Sequence, residues 1–129
     1  WYTHPTYGQQ LYRQVQNKHA SLATIVGHAY VWSEDDAESV AYPSADDERI
    51  KIAGVAQTII PKDSYGWLLV KGEGYYRSES DVAAGNFIGV KGSVGRLDNI
   101  TAAAAGCLGR ALTGGSGADG LWNALFDIF

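Results

Sequence analysis

The sequence predicts an all-β protein, a small barrel or sandwich of about eight to ten short strands. Three observations predict it. Residues 52–72 read as two apolar strands joined by a turn built on Pro61, Asp63 and Ser64. Gly85, Gly89, Gly92 and Gly95 punctuate the chain at intervals too brief for helices. Residues 121–129 alternate, with Trp122, Ala124, Phe126 and Ile128 on one face of a strand and Leu121, Asn123, Leu125, Asp127 and Phe129 on the other.

Residues 1–9 are polar and aromatic, with Pro5 and Gly8 as breakers, and read as an N-terminal arm; residues 10–129 read as a single β domain. Leu11–Gln16 is a candidate strand with Leu11 and Val15 on one face. Ala23–Trp32 is β-branched and aromatic, a strand interrupted by Gly27 at a bulge. An acidic turn at 33–38 follows, then a short strand Ser39–Tyr42 ended by Pro43. A second acidic cluster, Asp46-Asp-Glu48, leads into Ile50–Ile60, whose apolar run suits a strand buried on both faces. Tyr65–Lys71 pairs with it as a hairpin; Gly72 and Gly74 break that strand, and Tyr75 and Tyr76 begin the next element. Arg77–Asp81 is a polar connection, Thr101–Ala105 a single helical turn at most, and Gly114–Gly120 a flexible loop by composition. The terminal strand has one buried face and is tied into the core.

The chain of 129 residues suffices for one domain with a real core, and 46% apolar against 19% charged residues is a globular balance. No apolar run reaches the roughly 20 residues that cross a bilayer, so no membrane partner is expected. A net charge of −4 with singly scattered Lys and Arg argues against nucleic acid. Cys107 is the one cysteine, which rules out an internal disulfide; its small-residue surroundings suit a buried thiol acting as a small hydrophobe. The first residues lack the layout of a signal peptide. The chain also has no Met, which processing or truncation of a longer product would each explain.

The residue types that carry reactive chemistry are present without the spacing that such chemistry needs. His4, His19 and His28 lack metal-ligand spacing. Glu34–Glu38 lacks the alternating oxygen ligands of a calcium loop, and the glycine loop lacks the lysine of a phosphate cradle. Glu73 and Glu79 are one carboxylate pair among many, and Ser64 has no base in view. Lys71 reads as an ordinary edge lysine, and Asn99-Ile-Thr101 is a glycosylation sequon only in a secretory setting. The expectation is a protein that is not an enzyme, with no catalytic residues, no metal and no cofactor. What stands out is aromatic: Trp1, Tyr2, Tyr7 and Tyr12 either contact a partner or fold over the domain's own core, and they are taken as the candidate partner-binding residues.

Five segments carry a resemblance: Ile52-Ala-Gly-Val-Ala-Gln57, Tyr65-Gly-Trp-Leu-Leu-Val-Lys-Gly72, Ala83-Ala-Gly-Asn-Phe-Ile88, Gly95-Arg-Leu97 and Leu108-Gly-Arg-Ala-Leu112. Together with the upstream Tyr7-Gly-Gln-Gln-Leu-Tyr-Arg13, this progression resembles small virion proteins of tailed bacteriophages, the head decoration (cement) proteins and related head-surface proteins. The resemblance implies a capsid-stabilising structural protein on the outer surface of the virion, partnered by the major capsid protein, forming a homotrimer, and assembled in the bacterial host cytoplasm. The lack of a disulfide fits that compartment. Two other readings stay open: a carbohydrate- or receptor-binding β module of a phage spike or fibre, motivated by the surplus of Trp and Tyr, and a hydrolase of unrecognised type.

Overall fold

A computed structural model describes residues 1–18, 23–32, 39–41, 51–90, 95–101, 107–114 and 121–128. The chain is all-β, with ten strands among these residues: β1 Tyr2–His4, β2 Gly8–Asn17, β3 Ala29–Trp32, β4 Ser39–Ala41, β5 Ile52–Ala56, β6 Tyr65–Arg77, β7 Phe87–Val90, β8 Leu97–Asn99, β9 Cys107–Ala111 and β10 Leu121–Asp127. Their order is β1-β2-β4-β3-β5-β6-β10-β9-β7-β8, and every strand pair is antiparallel except β2 with β4. The acidic turns at 33–38 and 46–48, His19, the alanine run 102–105, the glycine loop 115–120 and Phe129 lie outside the described residues.

This order closes twice. β2 also pairs with β6, so β2, β4, β3, β5 and β6 form a ring. The long β6 then serves a second ring: Leu11 to Gln16 of β2 pair with its first half, while Leu121 to Asp127 of β10 pair with its second, from Arg77 back to Lys71. From β10 the sheet continues through β9 and β7 to β8, and Leu97 of β8 bridges back to Ser78 just past the end of β6. The N–H of Glu79 donates to the Leu97 carbonyl at 2.8 Å beside that bridge. Closure leaves few backbone edges open to pair with other chains.

Two apolar clusters fill this frame. Val15, Tyr30, Ala53, Ala56, Ile60 and Leu68 pack together, drawn from β2, β3, β5 and β6, and occupy the first ring. The larger cluster includes Ile52, Val55, Leu69, Val70, Tyr76, Ile88, Leu97, Leu108 and Phe126 and lies on the other side of β5 and β6. β5 is therefore buried at every residue, which is why its sequence runs apolar without alternation. β10 needs only one buried face and alternates: Ala124, Phe126 and Ile128 are buried, while Leu121, Leu125 and Asp127 are exposed.

The turn after residue 60 forms as its composition predicts, with the N–H of Ser64 donating to the Pro61 carbonyl at 3.1 Å and Asp63 in the left-handed region at φ 64°. Four expectations are corrected. The strand expected from Ala23 begins only at Ala29, because Gly27, at φ 88°, turns the chain and Thr24 is tied across to Thr58 and Ile60. Gly72 and Gly74 do not end β6. Gly72, at φ 110°, bends the strand where a Cβ would run into the Gln9 carbonyl oxygen, and pairing continues on both sides of the bend. Lys71 is consequently interior to the sheet, flanked by Leu11 and Asp127, and pairs with the Asp127 carboxylate at 3.4 Å. Cys107 is half-buried rather than enclosed.

Tyr76 is the largest polar-tipped side chain of the main cluster; fully buried, it donates its hydroxyl to the Thr113 carbonyl at 3.2 Å. Burial pushes its phenol up to about 12. In the unfolded chain that group ionises near its ordinary 10.0, so above it the unfolded state sheds a proton that the folded state keeps. Stability falls as pH rises through that window. We expect the denaturation midpoint to drop between about pH 10 and about pH 12, with a flatter profile in Tyr76→Phe; identical slopes would refute the assignment. Tyr12 and Tyr75 are raised as well, so the variant's profile is flatter rather than flat.

Candidate functional site: an aromatic cleft beside the first hairpin

β1 folds back on β2 as a short hairpin, pairing Tyr2 with Gln10, Thr3 with Gln9 and His4 with Gly8. Its root is fixed by Gln10, which is buried and donates from Nε2 to the Glu73 carbonyl at 2.7 Å while its Oε1 accepts the Tyr12 hydroxyl at 3.1 Å. Its tip is packed by rings. His4 and Tyr7 stack at 4.5 Å, and Tyr7 meets Tyr75 of β6 edge-on at 6.0 Å. A hydrogen bond to Tyr7, its charge and then burial raise the Tyr75 phenol above its ordinary value.

The hairpin forms one wall of a cleft of about 440 Å³, lined by Trp1, Tyr2, Tyr12, Gln57, Thr58 and Trp67. Such a volume is within the roughly 300–1,000 Å³ of ligand-sized clefts. Tyr2 and Tyr12 meet edge-on at 6.3 Å. Trp67 comes to the same face by register: Tyr12 opposes Leu69 and Gln14 opposes Trp67, so Tyr12 and Trp67 are diagonal neighbours. Gln57 is held at the end of β5 by Tyr75, whose N–H donates to Oε1 at 2.7 Å and whose carbonyl accepts from Nε2 at 3.0 Å. The amide thus ties the end of β5 to the second half of β6, away from the Val55–Leu69 and Ala56–Leu68 ladder.

The cleft is largely apolar and its rings are exposed. Trp1 is 73% exposed, Tyr2 50% and Trp67 54%. Among the described residues, no charged side chain lines it. Burial, then the neighbouring Tyr2, raises the Tyr12 phenol, so its hydroxyl stays protonated across the physiological range. A surface of this kind suits burial against an uncharged, partly apolar partner. Among the described residues, no three His, Cys, Asp or Glu side chains come together as a metal site.

Of the four residues singled out in the sequence, Trp1, Tyr2 and Tyr12 converge on the cleft. Tyr7 does not line the cleft; it is half-buried, stacked on His4 and edge-on to Tyr75. Trp67, Gln57 and Thr58 were missed. The Tyr65 and Trp67 alternation held a signal, since both face away from the buried Leu68, but the register that brings Trp67 to Tyr12 is not written locally.

The class these features define is a closed all-β domain with two rings on one shared strand and an exposed aromatic cleft at one end. No protein-family model matches the chain, and no curated protein matches its sequence. Its fold is similar to the crystal structure of the head fiber gp8.5 N base in bacteriophage phi29, with a TM-score of 0.66 and 11% sequence identity over 93% of this chain and 96% of that one.

Proposed function

We propose that this chain is a non-enzymatic structural protein of a tailed-phage virion, seated on the outer surface of the head. The observation that carries the reading is the fold shared with a head-fibre base over nearly the full length of both chains. The sequence progression from Ile52 to Leu112 points the same way independently. The partner is the major capsid protein, the assembly a homotrimer, and the contact surface the cleft formed by Trp1, Tyr2 and Tyr12 with Trp67, while Tyr7 stacks on His4 and supports the hairpin. Binding only to the assembled shell stabilises it by mass action, about 2.7 kcal/mol per site at a hundredfold excess over Kd. Repeated over a shell, that increment acts as cement.

Cosedimentation of the purified chain with expanded phage heads that lack it tests the reading. Saturation at a fixed copy number is expected, and absence of any saturable binding would overturn it. Trp67→Ala should weaken the association about thirtyfold or more, as loss of a central aromatic contact does, and leave the far-ultraviolet spectrum unchanged. Equal binding by the variant would move the contact elsewhere on the surface.

One observation favours a second reading, a carbohydrate-binding module. Exposed Trp and Tyr faces beside the Thr58 hydroxyl are the materials of a sugar-stacking site. A glycan-array signal abolished by Trp67→Ala would support it, and a blank array would count against it.

A further inference from the structure

The hairpin that brings Trp1 and Tyr2 to the cleft is paired along its strands and by a Gln9–Thr3 side-chain hydrogen bond, and its turn is held by His4. His4 ends β1, and its Nδ1 accepts two backbone N–H groups, from Thr6 at 3.0 Å and from Tyr7 at 3.1 Å. Both partners are donors only, so the ring nitrogen between them carries no proton, and the imidazole is neutral with its hydrogen on Nε2. The ring is held on two further sides, stacked on Tyr7 at an interplanar angle of 17° and met edge-on by Tyr2 at 6.2 Å.

The groups facing His4 are phenols. Tyr7 covers one face from the turn and Tyr2 its edge from β1; behind them stand Tyr75 of β6 and Tyr12 of β2. No carboxylate among the described residues forms an ion pair with it. A proton added at Nδ1 would therefore point at two N–H groups, abolish both hydrogen bonds, and find no counter-charge. The turn at Pro5–Tyr7 would lose both of the contacts that His4 supplies to its backbone.

We propose that His4 is an acid-sensitive latch on the aromatic cleft. Neutral, it holds the turn closed and keeps Trp1 and Tyr2 against Tyr12 and Trp67; protonated, it releases the turn and that wall of the cleft. The direction follows from the acceptor role: closure is complete where the imidazole is neutral and is lost where Nδ1 carries a proton. The latch is a property of the isolated chain. Only its consequence, release of the partner in acid, rests on the head-surface reading.

The test is amide hydrogen exchange and two-dimensional NMR of the purified full chain at about pH 8 and about pH 5, corrected for intrinsic exchange. Protection of the Thr6 and Tyr7 amides should fall about tenfold or more in acid, together with the contact between the Tyr2 and Tyr12 rings. Core amides of β5 and β10 should not change. In His4→Asn the side-chain carbonyl accepts the N–H two residues on, as asparagine does in turns, so the hairpin should stay closed at both pH values. His4→Phe keeps a ring to stack but offers no acceptor, and should be open at both. A wild-type hairpin equally protected at both pH values would overturn the proposal, as would acid opening of the same size in His4→Asn. Head cosedimentation at the two pH values separates the two claims. A chain that opens in acid but never binds heads removes only the partner; one that binds heads and stays closed in acid removes only the latch.

Discussion

Gly109→Ala is expected to unfold this protein at a markedly lower temperature than the parent chain. Gly109 lies in the middle of β9, opposite Phe126 of β10 on one side and Ile88 of β7 on the other. A Cβ there would be driven into the carbonyl oxygen and carbon of Leu125 and the Cα of Phe126, which are all backbone atoms. A side chain could rotate away; a paired strand cannot. Relief requires β9 and β10 to part, and that pair closes the second ring. Overpacking a core side chain costs about 1–3 kcal/mol, and a backbone collision belongs at or above the top of that range. Against a total stability of about 5–15 kcal/mol, a loss of about 3 kcal/mol lowers Tm by about 10 °C. Thermal melts followed by circular dichroism measure it, and coincident melts would show that β9 stands farther from β10 than described.

Gly109 also shows what a sequence can and cannot reveal. It sits in Leu108-Gly-Arg-Ala-Leu112, inside β9, between the buried Leu108 and the exposed Arg110. That the glycine is required because a neighbouring carbonyl crosses it depends on which strand lies alongside. Local composition does not encode that. The same division runs through the fold. The turn at Pro61–Ser64, the doubly buried β5 and the alternation of β10 are set by residues within a few positions of one another, and each was legible. Gly72 and Gly74 were misread as breakers because glycine, with no side chain to pack, weakens a strand where it stands. What keeps β6 going is the change of partner from β2 to β10, a long-range event.

The cleft divides in the same way. Large aromatic residues in a segment without a clear strand pattern marked Trp1 and Tyr2 as surface groups, and Tyr12 two residues after Gln10 followed from β2. Trp67 and Gln57 join them only through the β2–β6 register, which shifts between Leu11 and Tyr12, and through the Gln57 amide bound to the Tyr75 backbone. Tyr7 resembled its neighbours in composition, yet its ring is committed to His4 and Tyr75. Exposure can be guessed from residue type; convergence cannot.

Phe126→Ala should be the most damaging truncation of the terminal strand, and its neighbour supplies the control. Phe126 is buried in the main cluster, opposite Gly72 on one side and Gly109 on the other, where both partners lack side chains and the ring is the bulk that fills the layer. With glycines on both flanks, little can collapse into the vacated space, so the loss should reach about 3–5 kcal/mol. Leu125 precedes it in the chain but faces out, 49% exposed between Glu73 and Arg110, and Leu125→Ala should change stability by no more than about 0.5 kcal/mol. Denaturant titrations of the two variants measure the difference; equal losses would mean that the strand's register is off by one. The pair also guards the functional test. Phe126→Ala would weaken head binding only to the extent that it unfolds the domain, whereas Trp67→Ala should weaken it about thirtyfold or more with the fold intact. Only the second outcome locates the contact, and it does so because Trp67 is an exposed ring on a strand whose next three residues are buried without it.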